Sequence, residues 1–199
     1  MAIDVQNDFC DPSGALARLG ADVSANEAMV DALARTLPGL REVGFGITAV
    51  RQVTSLRTTS PARRRRMAAL GRDPLAVCAE GSWGAELHPG AGFSDADQVI
   101  EKHRYSAFVD TALPLLLRSA RADGIIVVGT AANVCVDSTV RDAFMRDFEV
   151  IVVPELVGWT DQRLGRPAID NLGRHFATLM DADDLLSAVR HGQLQPAGA

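Results

Sequence analysis

The feature that most constrains the fold is a set of short β-branched runs separated by amphipathic stretches. Gly124-Ile125-Ile126-Val127-Val128-Gly129 and Val150-Ile151-Val152-Val153 contain no polar side chain. A strand with one wet face alternates apolar and polar residues, so a run without polar positions is covered on both sides. Between such runs the apolar residues recur at helical spacing. Met29, Val30, Leu33, Ala34 and Leu37 mark a helix over 26–37, and Leu113, Leu116, Leu117 and Ala120 form the stripe of another. Shorter strands are expected at 3–5, 46–50 and 98–101, and helices over 136–146, 167–176 and 182–190. Strand–helix alternation with doubly covered strands predicts an α/β fold built on a parallel sheet. No repeat or linker divides the sequence, so residues 1–199 read as a single domain.

Composition narrows the function. A formal net charge of −5 argues against nucleic acid as a partner. The run Arg63-Arg64-Arg65-Arg66 stands against that acidic background, either as a solvated helix face or as a lure for an anionic substrate or a partner subunit. No apolar stretch reaches membrane-spanning length, and no signal peptide is expected ahead of the first strand. Cys10, Cys78 and Cys135 are odd in number and far apart, which fits neither a disulfide framework nor a zinc spacing. The expectation is a cytoplasmic enzyme with a free thiol. Residues 55–82 carry little periodicity and read as a helical insertion or a flap over the site.

Parallel sheets bind ligands outside the carboxyl ends of their strands, where the strand order reverses. Three reactive residues fall at such ends: Asp4, Lys102 and Cys135. Cys135 follows a buried strand and the small-residue turn Gly129-Thr130-Ala131-Ala132, at the start of a helix. Unpaired N–H groups there stabilise a thiolate and can hold an oxyanion. A buried, inert cysteine fits the spacing equally well. Lys102 alone reads as a surface lysine, and Asp4 alone as a turn cap. Together they form a working set: a carboxylate to move the thiol proton, an ammonium to hold the carboxylate, and a thiol to attack.

The sequence also resembles the isochorismatase-like cysteine hydrolases. Four blocks carry the resemblance in the family's order: Ile3-Asp4-Val5-Gln6-Asn7-Asp8-Phe9, Glu80-Gly81-Ser82-Trp83-Gly84-Ala85-Glu86-Leu87, Glu101-Lys102-His103-Arg104-Tyr105-Ser106-Ala107-Phe108, and Gly129 through Cys135 to Ala143. The resemblance implies a three-layer α/β/α sandwich around a six-stranded parallel sheet. It implies the triad Asp4, Lys102 and Cys135, and a cis peptide at Thr130–Ala131 that aims the N–H of Ala131, with that of Cys135, at the oxyanion. It also implies a homo-oligomer, dimer or tetramer.

Departures sort the chain within the family. An Asp-x-His metal motif marks the nicotinamidase branch; here the stretch reads Arg51-Gln52-Val53, and no histidine occurs before residue 88. No metal and no cofactor are therefore expected. Cys135 argues against the vinyl-ether-cleaving branch. What remains resembles the ureidoacrylate, biuret and N-carbamoyl amidohydrolases, with a small amide or ureido compound as substrate. Gln52 matches that branch's substrate-contacting amide. Phe9, Trp83, Tyr105 and Arg51 are further candidates for substrate contact. Ala132 replaces the family's usual threonine. A catalytically idle binding relative and a hydrolase of an unusual secondary metabolite are the alternatives.

Overall fold

In the computed structural model, which describes residues 1–197, the apolar runs form one sheet of six parallel strands. The strands are β1 (Ala2–Ile3), β2 (Thr48–Gln52), β3 (Gln98–Lys102), β4 (Gly124–Gly129), β5 (Glu149–Val157) and β6 (Thr178–Leu179), in the order β3-β2-β1-β4-β5-β6. The α-helices are α1 (Asn7–Cys10), α2 (Ala15–Arg18), α3 (Ser24–Glu42), α4 (Pro61–Ala69), α5 (Leu113–Ser119), α6 (Asp137–Phe144), α7 (Gln162–His175) and α8 (Ala182–Arg190).

Each sheet face has its own apolar cluster, which makes the three expected layers. On one face α3 and α8 bring Met29, Leu33, Leu37, Leu185 and Val189 against Ala2, Val128 and Val153. On the other, α6 and α7 bring Val140, Ala143, Ile169 and Leu172 against Ile3, Val50, Val127 and Val152. Residues two apart in a strand share a face, so Val127 and Val128 serve opposite clusters. Both must be apolar, and the unbroken run follows.

Several boundaries differ from the expectation for local reasons. β1 stops at Ile3 because Asp4 adopts φ +54°, a left-handed conformation that no strand continues through. α3 continues past Leu37 to Glu42, through Pro38. Burial of Leu40 offsets the loss of the hydrogen bond that Pro38 removes. α7 begins at Gln162 because Asp161 caps it: the Asp161 carboxylate accepts from the N–H of Arg163 at 2.9 Å. β6 is two residues long and both are exposed, too little for a sequence pattern to register.

The strand order reverses between β1 and β4, and the joint there is tight. A Cβ on Gly129, whose φ is +110°, would collide with the backbone N and O of Ile3. Glycine is required at this position to let the two strands meet and the chain turn away.

Candidate active site

The carboxyl ends of β1, β2, β3 and β4 deliver Asp4, Gln52, Lys102 and the 129–135 turn to one place. Lys102 starts two strands away from Asp4, and its long side chain spans that gap. Lys102 Nζ lies 2.8 Å from Asp4 Oδ2, with both side chains fully buried. The same ammonium donates to Gln52 Oε1 at 3.2 Å and to the Arg104 carbonyl at 3.1 Å. All three donors of the ammonium are thus matched, which is what keeps a buried lysine charged. Asp4 Oδ1, by contrast, is buried with no hydrogen-bond partner among the described residues.

Cys135 is 6% exposed and sits in a single π turn, Ala132–Val136, that runs directly into α6. It lies close enough to Asp4 and Lys102 for the three groups to shift one another's proton affinity. Burial is the largest influence on Asp4 and raises its pKa above the ordinary carboxylate range, although Lys102 pulls the other way. Burial disfavours the charged form of Lys102, but the Asp4 charge, with Cys135 beside it, carries its pKa above the ordinary value. Burial also pushes the Cys135 thiol up, and the Asp4 charge adds to that. This corrects one expectation: the turn is where the sequence placed it, but a thiolate is not favoured at rest. Burial is the largest influence on that thiol. The other two thiols are pushed up as well, Cys10 to about 12, so what distinguishes Cys135 is its partners rather than its acidity.

The turn before Cys135 is held on every side. The Thr130–Ala131 peptide is cis. Thr130 N–H donates to Ile3 O at 2.8 Å, Ala132 N–H to Gly158 O at 2.9 Å, and Gly158 N–H back to Gly129 O at 3.0 Å. The Ala131 N–H has no acceptor among the described residues. Ala132, the departure from the family pattern, is fully buried in the apolar cluster.

The remaining candidates divide. Gln52 is buried at the centre; its Oε1 is taken by Lys102, while its Nε2 makes only a 3.4 Å contact to Val53 O. Trp83 and Tyr105 are exposed by 46% and 44%. Tyr105 follows Lys102 by three residues, and the Arg63 guanidinium lies 5.6 Å from its ring centre. Segment 55–82 contains a helix, α4, which buries no residue and carries Arg64, Arg65 and Arg66 exposed on it. Phe9 is half-buried and packs against the α3 cluster. Arg51 projects from the face of β2 opposite to Gln52 and pairs with Glu101 across the strands, because neighbours in a strand point opposite ways.

Sequence reasoning missed three supporting residues. Gln6 accepts from the Gln52 N–H at 2.7 Å and donates to the carbonyls of Gln52 and Ala85, clamping β2 to the Trp83 segment. Thr139 donates to the Cys135 carbonyl at 2.7 Å and accepts from the Ala107 N–H at 3.1 Å. Asn26 reaches Thr130 from the start of α3. Each is a polar side chain inside a quoted block or an apolar-periodic stretch, and no local pattern separates such a residue from a surface one.

Known proteins bear on this geometry. The Isochorismatase domain profile matches residues 1–184. The chain belongs to the isochorismatase family. It is 30% identical to the ureidoacrylate amidohydrolase RutB of Methylobacterium radiotolerans over 211 residues, covering 100% of this chain and 82% of the relative. Among solved structures, a cysteine hydrolase from Pseudomonas syringae superposes with a TM-score of 0.84 at 22% identity, over 96% of this chain and 91% of the other. The N-carbamoylsarcosine amidase of Thermoplasma acidophilum gives 0.72 at 24%, over 92% and 94%. These two similarities establish the shared fold, and family membership establishes a hydrolase. No helix among the described residues is long and apolar enough to cross a membrane.

Proposed function

We propose that the chain, read as one hydrolase domain over 1–199, cleaves a linear amide or ureide C–N bond through a covalent acyl-enzyme on Cys135. The relatives named for ureidoacrylate and N-carbamoylsarcosine point to substrates of that kind. The observation that carries the reading is the fully buried Asp4–Lys102 pair, with one carboxylate oxygen left open beside a buried thiol.

In this reading the thiol keeps its proton until substrate arrives. As Sγ bonds to the carbonyl carbon, the proton passes to Asp4, whose raised pKa makes it a competent acceptor. The carbonyl electrons move onto oxygen, which the Ala131 and Cys135 N–H groups receive. The C–N bond then breaks and Asp4 returns the proton to the departing nitrogen. Water attacks the thioester, gives its proton to Asp4, and the S–C bond breaks; Asp4 reprotonates the thiol as the acid leaves. Lys102 stays protonated throughout and holds Asp4 in place. Gln52 Nε2 is the group to bind a substrate carbonyl or ureido oxygen, with Tyr105, Trp83 and Phe9 as candidate walls.

The test is ammonia release from ureidoacrylate and from N-carbamoylsarcosine by the wild type and by Cys135→Ala, with a mass search for an acyl adduct on Cys135. Activity that survives in Cys135→Ala would reject the mechanism.

A further inference from the structure

We infer that Asn26 is a positioning residue that holds the oxyanion-binding N–H of Ala131, acting through the hydroxyl of Thr130. The inference rests on the reading of Cys135 as nucleophile.

Asn26 is fully buried in the first turn of α3. Its Nδ2 donates to the Phe9 carbonyl at 2.7 Å. A carbonyl can only accept, so that bond fixes which way round the amide lies. Oδ1 must then face Thr130, whose Oγ1 donates to it at 2.9 Å. The amide is also wedged in place: a Cβ on Gly158 would collide with Asn26 Oδ1, and Gly158 is the residue that grips both Gly129 and Ala132.

The consequence is a relay of fixed positions. Phe9 orients the Asn26 amide, the amide holds the Thr130 hydroxyl, and Thr130 is bonded directly to Ala131. Backbone bonds hold Thr130 at its nitrogen and Ala132 at its nitrogen. The Ala131 N–H between them has no acceptor among the described residues and is free to meet an oxyanion. Its direction depends on the rotation of the Thr130–Ala131 peptide plane, and the hydroxyl tether is the side-chain contact that restrains that plane. A misdirected donor loses most of its effect, because such groups act only when preorganised.

The test uses p-nitrophenyl acetate, whose carbonyl develops an oxyanion on attack whatever the natural substrate is. Thr130→Val keeps the shape and deletes the hydroxyl; Asn26→Ala deletes its acceptor. Each is expected to lower kcat for p-nitrophenol release about tenfold or more while KM stays within about threefold. The double variant should be no slower than the slower single one, because both break one tether. Thr130→Ser should recover several-fold over Thr130→Val. Alkylation of Cys135 by iodoacetamide, which develops no oxyanion, should keep its wild-type rate in all of them.

If Asn26→Ala does not fold, Thr130→Val and Thr130→Ser carry the test. An unchanged kcat in Thr130→Val, a loss confined to KM, additive losses, or alkylation slowed in step with kcat would each overturn the inference. Release that persists in Cys135→Ala would instead overturn the nucleophile reading beneath it.

Discussion

The two ends of the sheet carry opposite kinds of opening. At the amino ends of β4 and β5 lies a cleft of about 1010 Å³, walled by Phe45, Phe144, Phe176 and Ile125 and edged by Arg121 and Arg174. At the carboxyl ends, three reactive side chains are buried to 0–6% exposure. A second cleft of about 560 Å³, formed by segments 20–25 and 159–163, also lacks Asp4, Lys102 and Cys135 from its lining. On the proposed reading, buried charge rather than open volume marks the chemistry, because an ion is held out of water only where partners are arranged for it.

That comparison can be broken most directly at Cys135. Cys135→Ala should lower kcat/KM by about a thousandfold or more, measured as ammonia release, because the attacking group itself is removed. Phe144→Ala in the amino-end cleft should change it by less than about twofold. A reversed result would relocate the site.

Lys102→Met tests the buried pair. It should cost about 3–5 kcal/mol in urea unfolding, because Asp4 is left unpaired. The pH dependence sharpens this. Asp4 already has a folded pKa above its unfolded value, and loss of Lys102 raises it further. The folded variant then binds more protons than the unfolded chain between those two values, so stability falls as pH rises through that window. Melting temperatures of Lys102→Met across that window should decline with pH.

Turnover runs the opposite way with pH. In the proposed mechanism the working form of Asp4 is the carboxylate, which is lost as pH falls through its raised pKa. The acid limb of kcat/KM is expected above the ordinary carboxylate range near about 4.

The smallest effects belong to aromatic and surface contacts outside the buried pair. Phe176 sits 5.6 Å from Phe144 in an edge-to-face pair and under the Arg141 guanidinium at 4.3 Å. Phe176→Ala should lower stability by about 1–3 kcal/mol, since the ring is only partly buried, and leave kcat of the folded protein unchanged. Arg163→Ala, which removes an exposed partner of Asp161, should leave the urea midpoint of unfolding where it is in the wild type, because water and salt screen such a pair.

Much of this was legible in the sequence where chemistry coincides with a strand end. The runs at 124–129 and 150–153 announce a covered sheet, and the switch-point rule leads from them to Asp4, Lys102 and Cys135. The resemblance supplied the sixth strand and the cis peptide, which no residue pattern announces. The pairing of Arg51 with Glu101 was not legible, because it depends on a strand partner 50 residues away. The raised thiol pKa was not legible, since proximity to a helix start is local while desolvation comes from the whole surrounding fold. Asn26 was hidden for a related reason: its partner Thr130 lies 104 residues away.

The glycine at position 129 has a consequence for how such a scaffold can diversify. It seats β4 directly on the backbone of Ile3, the residue before Asp4, and Cys135 follows on the turn that leaves β4. In the proposed mechanism the separation of proton carrier and nucleophile is thus a property of two strands in contact. Helix α4 and the stretch from Trp159 to Arg163 attach outside that contact, the first burying no residue and the second lying beside a cleft. Their composition can be rewritten while Asp4 and Cys135 keep their spacing, so these outer segments and the buried centre are free to vary separately.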